Sequence, residues 1–306
     1  MGRVSDGLIW ENRPHLRRPV LVAAFRGWND AAEAATGAAS WLAERGRASR
    51  FAQIDPEEHF DFQAVRPQVE LVDGVTREIT WPANECFAAE FPDAAHDLVV
   101  LVGTEPNVKW RSFCRAVLEA AGGTGCEMIV TLGALLADVP HTRPMPITGA
   151  VGDQDVLDRL GLTRSHYEGP TGIVGVLHDA VREAGVPSAS LWVPVPHYVA
   201  SAPNPVATRA LLDRLDALLE LDLPLAELDD EAEEWRHRVD EVVADNEEVR
   251  DYVQRLEDQL DADEPDDEPI AEAEPLTEAD LPSGETLAAD IERYLRDQPE
   301  GGGSPS

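Results

Sequence analysis

Residues 19–32 read Pro-Val-Leu-Val-Ala-Ala-Phe-Arg-Gly-Trp-Asn-Asp-Ala-Ala. Pro19 to Phe25 is an unbroken apolar run closed by a charge and a glycine. That is the pattern of a strand buried on both faces of a sheet. The Ala-rich run that follows, to Arg45, reads as a helix, with Asn29 or Asp30 as N-cap and Gly46 as C-cap. Phe51 to Ile54 then reads as a short second strand, completing a strand–loop–helix–strand start.

Outward from this unit the alternation continues. Apolar runs at Asp97–Gly103, Glu127–Leu135 and Ser190–Tyr198 read as further core strands. Helical patterns lie between or after them at Lys109–Ala121, Ile173–Gly185 and Val206–Leu221, with a short helix expected at about 153–160. Val69 to Trp81 differs: two β-like runs flank Asp73-Gly74, a hairpin turn signal, and predict an antiparallel excursion. The whole predicts a three-layer α/β/α sandwich with a largely parallel sheet over residues 1–225. In such sheets ligand sites form at the carboxyl ends of strands. Four polar or Gly/Pro-rich loops leave strands here: 26–30, 103–107, 138–149 and 196–205.

Beyond the domain, Trp235, Val239, Val242, Asn246, Val249, Val253, Leu256 and Leu260 alternate spacings of four and three. This is a heptad seam over residues 226–260, suited either to a coiled coil, with Asn246 at an a position, or to one helix packed on its own domain. Residues 261–306 form an acidic, Pro-containing tail expected to be disordered, with a short amphipathic helix over 283–298.

Charge narrows the partners. The net charge is −34, of which −23 falls from Glu227 onward. Nucleic acid is disfavoured because phosphate binding needs clustered Lys and Arg, and an anionic membrane surface by the same repulsion. Lys109 is the only lysine. Cys86, Cys114 and Cys126 give no paired spacing, hence no disulfide framework, and read as buried packing residues in a reducing cytoplasm. Neither a signal peptide nor a membrane-spanning helix is expected.

No catalytic set assembles from spacing. His-x-x-x-His and Gly-x-Ser-x-Gly are absent, so neither a metal nor a serine nucleophile is expected, and no cofactor. Gly122-Gly123-Thr124-Gly125 follows a helix, the wrong order for a dinucleotide loop. Gly169-Pro170-Thr171-Gly172 does open a helix, where free N–H groups suit an anion. The residues most apt to line a strand-end crevice or an interaction surface are Trp28, Asn29, Asp30, Glu105, Asn107, His141, Arg143, Glu168, Thr171 and His197, because polar residues concentrate there in loops rather than in the core.

Four stretches together carry a resemblance: Gly27-Trp28-Asn29-Asp30-Ala31-Ala32, Gly103-x-Glu105-Pro106-Asn107 with Trp110, Gly133 to Pro144, and Tyr167-Glu168-Gly169-Pro170-Thr171-Gly172. In this order, over about residues 5–225, the chain resembles the proteasome assembly chaperone 2 (PAC2) family, its actinobacterial branch above all. The preference for Arg over Lys suits a high-GC source. The resemblance implies a phosphorylase/hydrolase-like α/β/α fold and a homo-oligomer. It also implies a non-enzymatic chaperone role through protein contacts, with the proteasome or another protein as partner, since eukaryotic members help assemble the 20S α-ring. Some archaeal relatives end in a hydrophobic-Tyr-x motif that docks into the proteasome; this sequence ends Gly-Gly-Gly-Ser-Pro-Ser instead. The alternative is a phosphorylase-like enzyme or nucleotide binder using the crevice. The ATP-grasp ligase label that some members carry is disfavoured by the single lysine.

Overall fold

The period-two burial of β3 (Val20–Arg26) organises two layers of helices. Val20, Val22 and Ala24 point into one apolar core, and Leu21, Ala23 and Phe25 into another on the opposite face. The computed structural model describes residues 4–5, 7–72, 76–151, 162–164, 167–201 and 203–262. The strands besides β3 are β1 (Val4–Ser5), β2 (Leu8–Trp10), β4 (Ser49–Ile54), β5 (Gln68–Val72), β6 (Thr76–Thr80), β7 (Asn84–Ala89), β8 (Leu98–Thr104), β9 (Met128–Ala137), β10 (Thr148–Val151), β11 (Thr163–Arg164) and β12 (Ser188–Pro196). The helices are α1 (Ala34–Arg45), α2 (Pro56–His59), α3 (Trp110–Thr124), α4 (Ile173–Glu183), α5 (Pro205–Leu219), α6 (Ala226–Asp245) and α7 (Glu247–Ala262).

The main sheet runs β1-β2-β4-β7-β8-β3-β9-β12-β10-β11. Helices α1, α5, α6 and α7 cover one face, and α3 and α4 the other. This is the expected three-layer sandwich.

The sheet is mixed rather than largely parallel. β8, β3, β9 and β12 form a parallel block, and β10 pairs parallel with β11 but antiparallel with β12. β7 pairs antiparallel with β8, and β4 antiparallel with β7. β4 therefore runs in the same direction as β3 but is separated from it by two strands, β7 and β8. The cause is β7, Asn-Glu-Cys-Phe-Ala-Ala, which follows the β5–β6 hairpin and reverses the chain at the carboxyl end of β8. The hairpin is the expected antiparallel excursion, a separate two-stranded sheet. Its turn, the 153–160 helix and the tail beyond residue 262 lie outside the described residues.

The heptad seam does not run through one helix. Asn246 is extended and exposed, and its Oδ1 accepts from Glu248 N and Val249 N. It therefore ends α6 and caps α7, rather than sitting buried at an a position. Trp235, Val239, Val249, Val253 and Leu256 are buried in the same core as α1 and α5. The seam thus packs on its own domain.

This packing makes α6 part of one cooperative unit. Trp235→Ala, removing a side chain 5% exposed, should cost about 3–5 kcal/mol and shift a single unfolding transition as a whole. Denaturant melts followed by tryptophan fluorescence and by far-UV circular dichroism check this. A separate early transition for the helical pair would contradict it.

Candidate functional site

The parallel block has its switch point between β3 and β9. From β3 the chain goes to β4, beyond β8 on one side, and from β8 it crosses to β9 on the other. β3 pairs with β9 only as far as Ala23↔Thr131, so the two strands part beyond it. Open α/β sheets bind ligands in such a gap. Here the chain's own groups occupy it. Asn29 O accepts from Ala134 N of β9 at 2.8 Å, and the Asn29 side chain, 2% exposed, turns back to Glu105.

Glu105 joins three of the four motif stretches. Its Oε1 accepts from Asn29 Nδ2 at 2.9 Å and from Ile173 N at 2.8 Å, while its own N–H donates to Arg26 O. Ile173 N is a free donor in the first turn of α4, where the helix dipole favours negative charge. The anion-binding feature expected at Gly169–Gly172 is therefore filled by a carboxylate of the chain itself. Two glycines permit the close approach. Gly27 has φ +126°, and a Cβ at Gly172 would sit 2.0 Å from Asn29 Nδ2.

Asp30 does a different task. Its Oδ1 accepts from Ala35 N and Thr36 N, and its Oδ2 from the Thr36 hydroxyl. It caps α1 across a left-handed kink at Ala32 and Glu33. Burial raises its pKa, against the hydrogen bonds that lower it. Asn107 Oδ1 accepts from Asp61 N, and its N–H donates to His59 O, which ties the start of the hairpin segment to the end of β8. Trp28, Glu168 and Thr171 are exposed on the same edge.

His141, Arg143 and His197 do not join this cluster. They hold the C-terminal helices. His141, 2% exposed, has Nδ1 2.8 Å from the Tyr198 hydroxyl and Nε2 3.0 Å from Asp240 Oδ1 of α6. The Tyr198 oxygen also accepts from His141 N. A neutral ring satisfies this network, with Nε2–H donating to Asp240 and Nδ1 accepting from Tyr198. Arg143 Nη2 lies 2.9 Å from Asp261 Oδ2 of α7, and Arg143 also faces Glu257. Asp138, at the end of β9, accepts from the Tyr252 hydroxyl of α7 at 2.9 Å and lies 3.0 Å from His197 Nδ1. Tyr198, Tyr252 and Asp240 were not singled out from sequence, because their partners lie 57 to 114 residues away.

The three thiols are held protonated. Burial pushes the pKa of Cys86 up to about 12, and those of Cys114 and Cys126 up to about 11. A reactive cysteine needs the opposite shift.

The PAC2 family model matches residues 24–243, which span all four motif stretches and most of α6. The chain belongs to the PAC2 family. Two solved structures support the assignment. A PAC2 family protein from Streptomyces avermitilis is 47% identical, covering 77% of this chain and 99% of its own, with a TM-score of 0.70. A proteasome-assembly chaperone homologue from Mycobacterium tuberculosis is 44% identical, covering 76% of this chain and 99% of its own, with a TM-score of 0.71. An archaeal proteasome activator from Pyrococcus furiosus, 20% identical over 77% of this chain and 97% of its own, shares the fold at a TM-score of 0.62. No curated protein matches the sequence. Among the described residues, no helix of this PAC2 chain is long and apolar enough to cross a membrane.

Two predictions follow from these contacts. Glu105→Ala leaves Asn29 Nδ2 and Ile173 N without their acceptor and should cost roughly 2–3 kcal/mol. Glu105→Gln keeps an acceptor oxygen and should cost less; chemical denaturation ranks the two. Acid should loosen the fold near neutrality. His59, His141 and His178 are all held below the ordinary histidine pKa, chiefly by burial. The unfolded chain, with histidines near 6.5, takes up protons first, so stability is full above that pH and falls as pH drops below it. Melting temperatures at about pH 7.5 and about pH 5.5 should show a drop, smaller in His141→Asn.

Proposed function

We infer that the protein is a non-enzymatic, proteasome-assembly-chaperone-like protein that acts through protein contacts. One observation carries this reading. The gap where this sheet type binds small molecules is closed by Asn29 and Glu105, and the anion-binding end of α4 is taken by Glu105. The polar motif residues are spent on the chain's own architecture. A protein role suits this better than turnover of a ligand held in the crevice.

Kinship supplies the partner class. A 44% identical relative is described as a proteasome-assembly chaperone homologue. On this reading the α/β domain, residues 1–225, makes the contacts and self-associates. The helical pair that follows clasps it, and the acidic tail beyond serves partners. A cytoplasmic setting is part of the proposal.

The test is assembly of proteasome α-subunits from the same organism, followed by native mass spectrometry with and without the purified chain. Faster ring formation, or a stable complex with an α-subunit intermediate, is expected. No complex and no change in rate, together with a thermal shift from nucleosides or phosphate, would reverse the conclusion.

A further inference from the structure

Helices α6 and α7 are fastened to the α/β domain in different ways. α6 is tied at three places: Glu227 pairs with Arg45 of α1, Asp229 with Arg209 of α5, and Asp240 with His141. The polar contacts of α7 with the domain converge on one loop. The Tyr252 hydroxyl donates to Asp138 Oδ1 at 2.9 Å, and the Thr142 hydroxyl donates to Glu257. Arg143 lies 2.9 Å from Asp261 and 3.5 Å from Glu257. Between the helices stands Asn246, extended at φ −124° and ψ 111°. Its side chain caps α7, so the helix can leave with its cap in place. A turn about this residue lifts α7 and leaves α6 seated; hinges commonly fall at such element ends.

The seat under α7 is specific. Tyr252 enters edge-on against the rings of His197 and Tyr198, with centroids 5.4 and 5.9 Å away, and its hydroxyl finds Asp138. A ring with a satisfied hydroxyl is a strong anchor. Val249 and Val253, three before and one after it, are buried, and Leu256 follows on the same face. The seat therefore reads an aliphatic residue, a tyrosine three later, and an aliphatic directly after. A helix of 16 residues is marginal alone in water, so α7 needs the seat to stay helical.

The chain carries this key twice. Glu248-Val249-Arg250-Asp251-Tyr252-Val253 has a counterpart in the tail, Asp290-Ile291-Glu292-Arg293-Tyr294-Leu295. Acid, aliphatic, tyrosine and aliphatic recur at the same four positions. The chain has four tyrosines, and Tyr294 is the one beyond α7. Between Ala262 and Asp290 lie 27 residues. That length can span up to roughly 90 Å, against about 24 Å for α7 itself, so the tail copy reaches the seat. It is the weaker copy. Gln298 stands where α7 has Leu256, and Pro299 where it has Glu257, the partner of Thr142 and Arg143. α7 therefore holds the seat when both compete.

We propose that the seat of α7 is a helix-exchange site: when α7 is drawn away, residues 290–295 of the same chain take its place, with Tyr294 in the pocket of Tyr252. α7, with six acidic and two basic residues, is then free to a protein partner as an acidic amphipathic helix. Its release costs little, because the seat does not stay bare. The exchange does not depend on which partner draws α7 away.

The test is hydrogen exchange by mass spectrometry on the full chain. Val249→Asp/Val253→Asp draws α7 off and leaves the residues of the seat intact. In that variant amides 250–260 should lose protection, and amides 291–297 should gain it by about tenfold. Adding Tyr294→Ala should return the tail to its wild-type rate. Tyr252→Ala, a smaller change that empties the pocket, should give the same pattern if the first variant does not fold. A labelled synthetic peptide of residues 285–299 supplies a second reading by fluorescence anisotropy. It should bind the Tyr252→Ala/Tyr294→Ala chain, and its own Tyr294→Ala form should bind at least about tenfold more weakly. Tail amides equally fast in the released and wild-type chains overturn the exchange. Protection that survives Tyr294→Ala, or a peptide that binds equally well without its tyrosine, overturns the pocket.

Discussion

One carboxylate oxygen holds the carboxyl edge of this sheet together. Glu105 Oε1 accepts from Asn29 and from Ile173 N, so the loop after β3, the loop after β8 and the start of α4 meet at one atom. Helix N-termini need an acceptor, and strands that part at a switch point leave a gap. A single residue answers both needs. In doing so it uses up the two features that would otherwise draw a small ligand.

A second set of contacts does comparable work a few strands away. The loop after β9 supplies Asp138, His141 and Arg143, and β12 delivers His197 and Tyr198. These groups grip α6 and α7 rather than a substrate. The edge is therefore divided: the β3–β8 side is closed by the chain itself, and the β9–β12 side is roofed by the C-terminal helices. Trp28, Val108 and Leu136 stay open to solvent there, beside the polar Glu168 and Thr171.

Much of the fold was legible in the sequence. The strands at β3, β8, β9 and β12 announce themselves as apolar runs because both faces are buried. The hairpin announces itself through Asp73-Gly74. β7 does not, since Asn84-Glu85-Cys86-Phe87-Ala88-Ala89 is short and only alternately buried; the parallel reading of the sheet failed on that strand. The heptad seam was read correctly as apolar, but its spacing is the same whether the other surface is a partner helix or the chain's own core. Asn246 was the misleading residue, because a polar side chain at that spacing can be a buried register pin or an exposed cap. Asn29, Glu105, His141 and His197 were singled out as residues of a crevice or interaction surface, without the intramolecular contacts they make. Those contacts depend on partners between 57 and 99 residues away, which no local pattern encodes.

The buried cysteines have a practical corollary. Cys86 and Cys114 are buried in the α3 side of the sandwich with their thiols held protonated, while Cys126 is only half-buried at its margin. An electrophile in solution reaches the two buried groups only when the surrounding structure opens. The rate at which each of these sulfurs is alkylated is then a clock for the opening of that layer. The molecule carries two internal reporters of its own breathing.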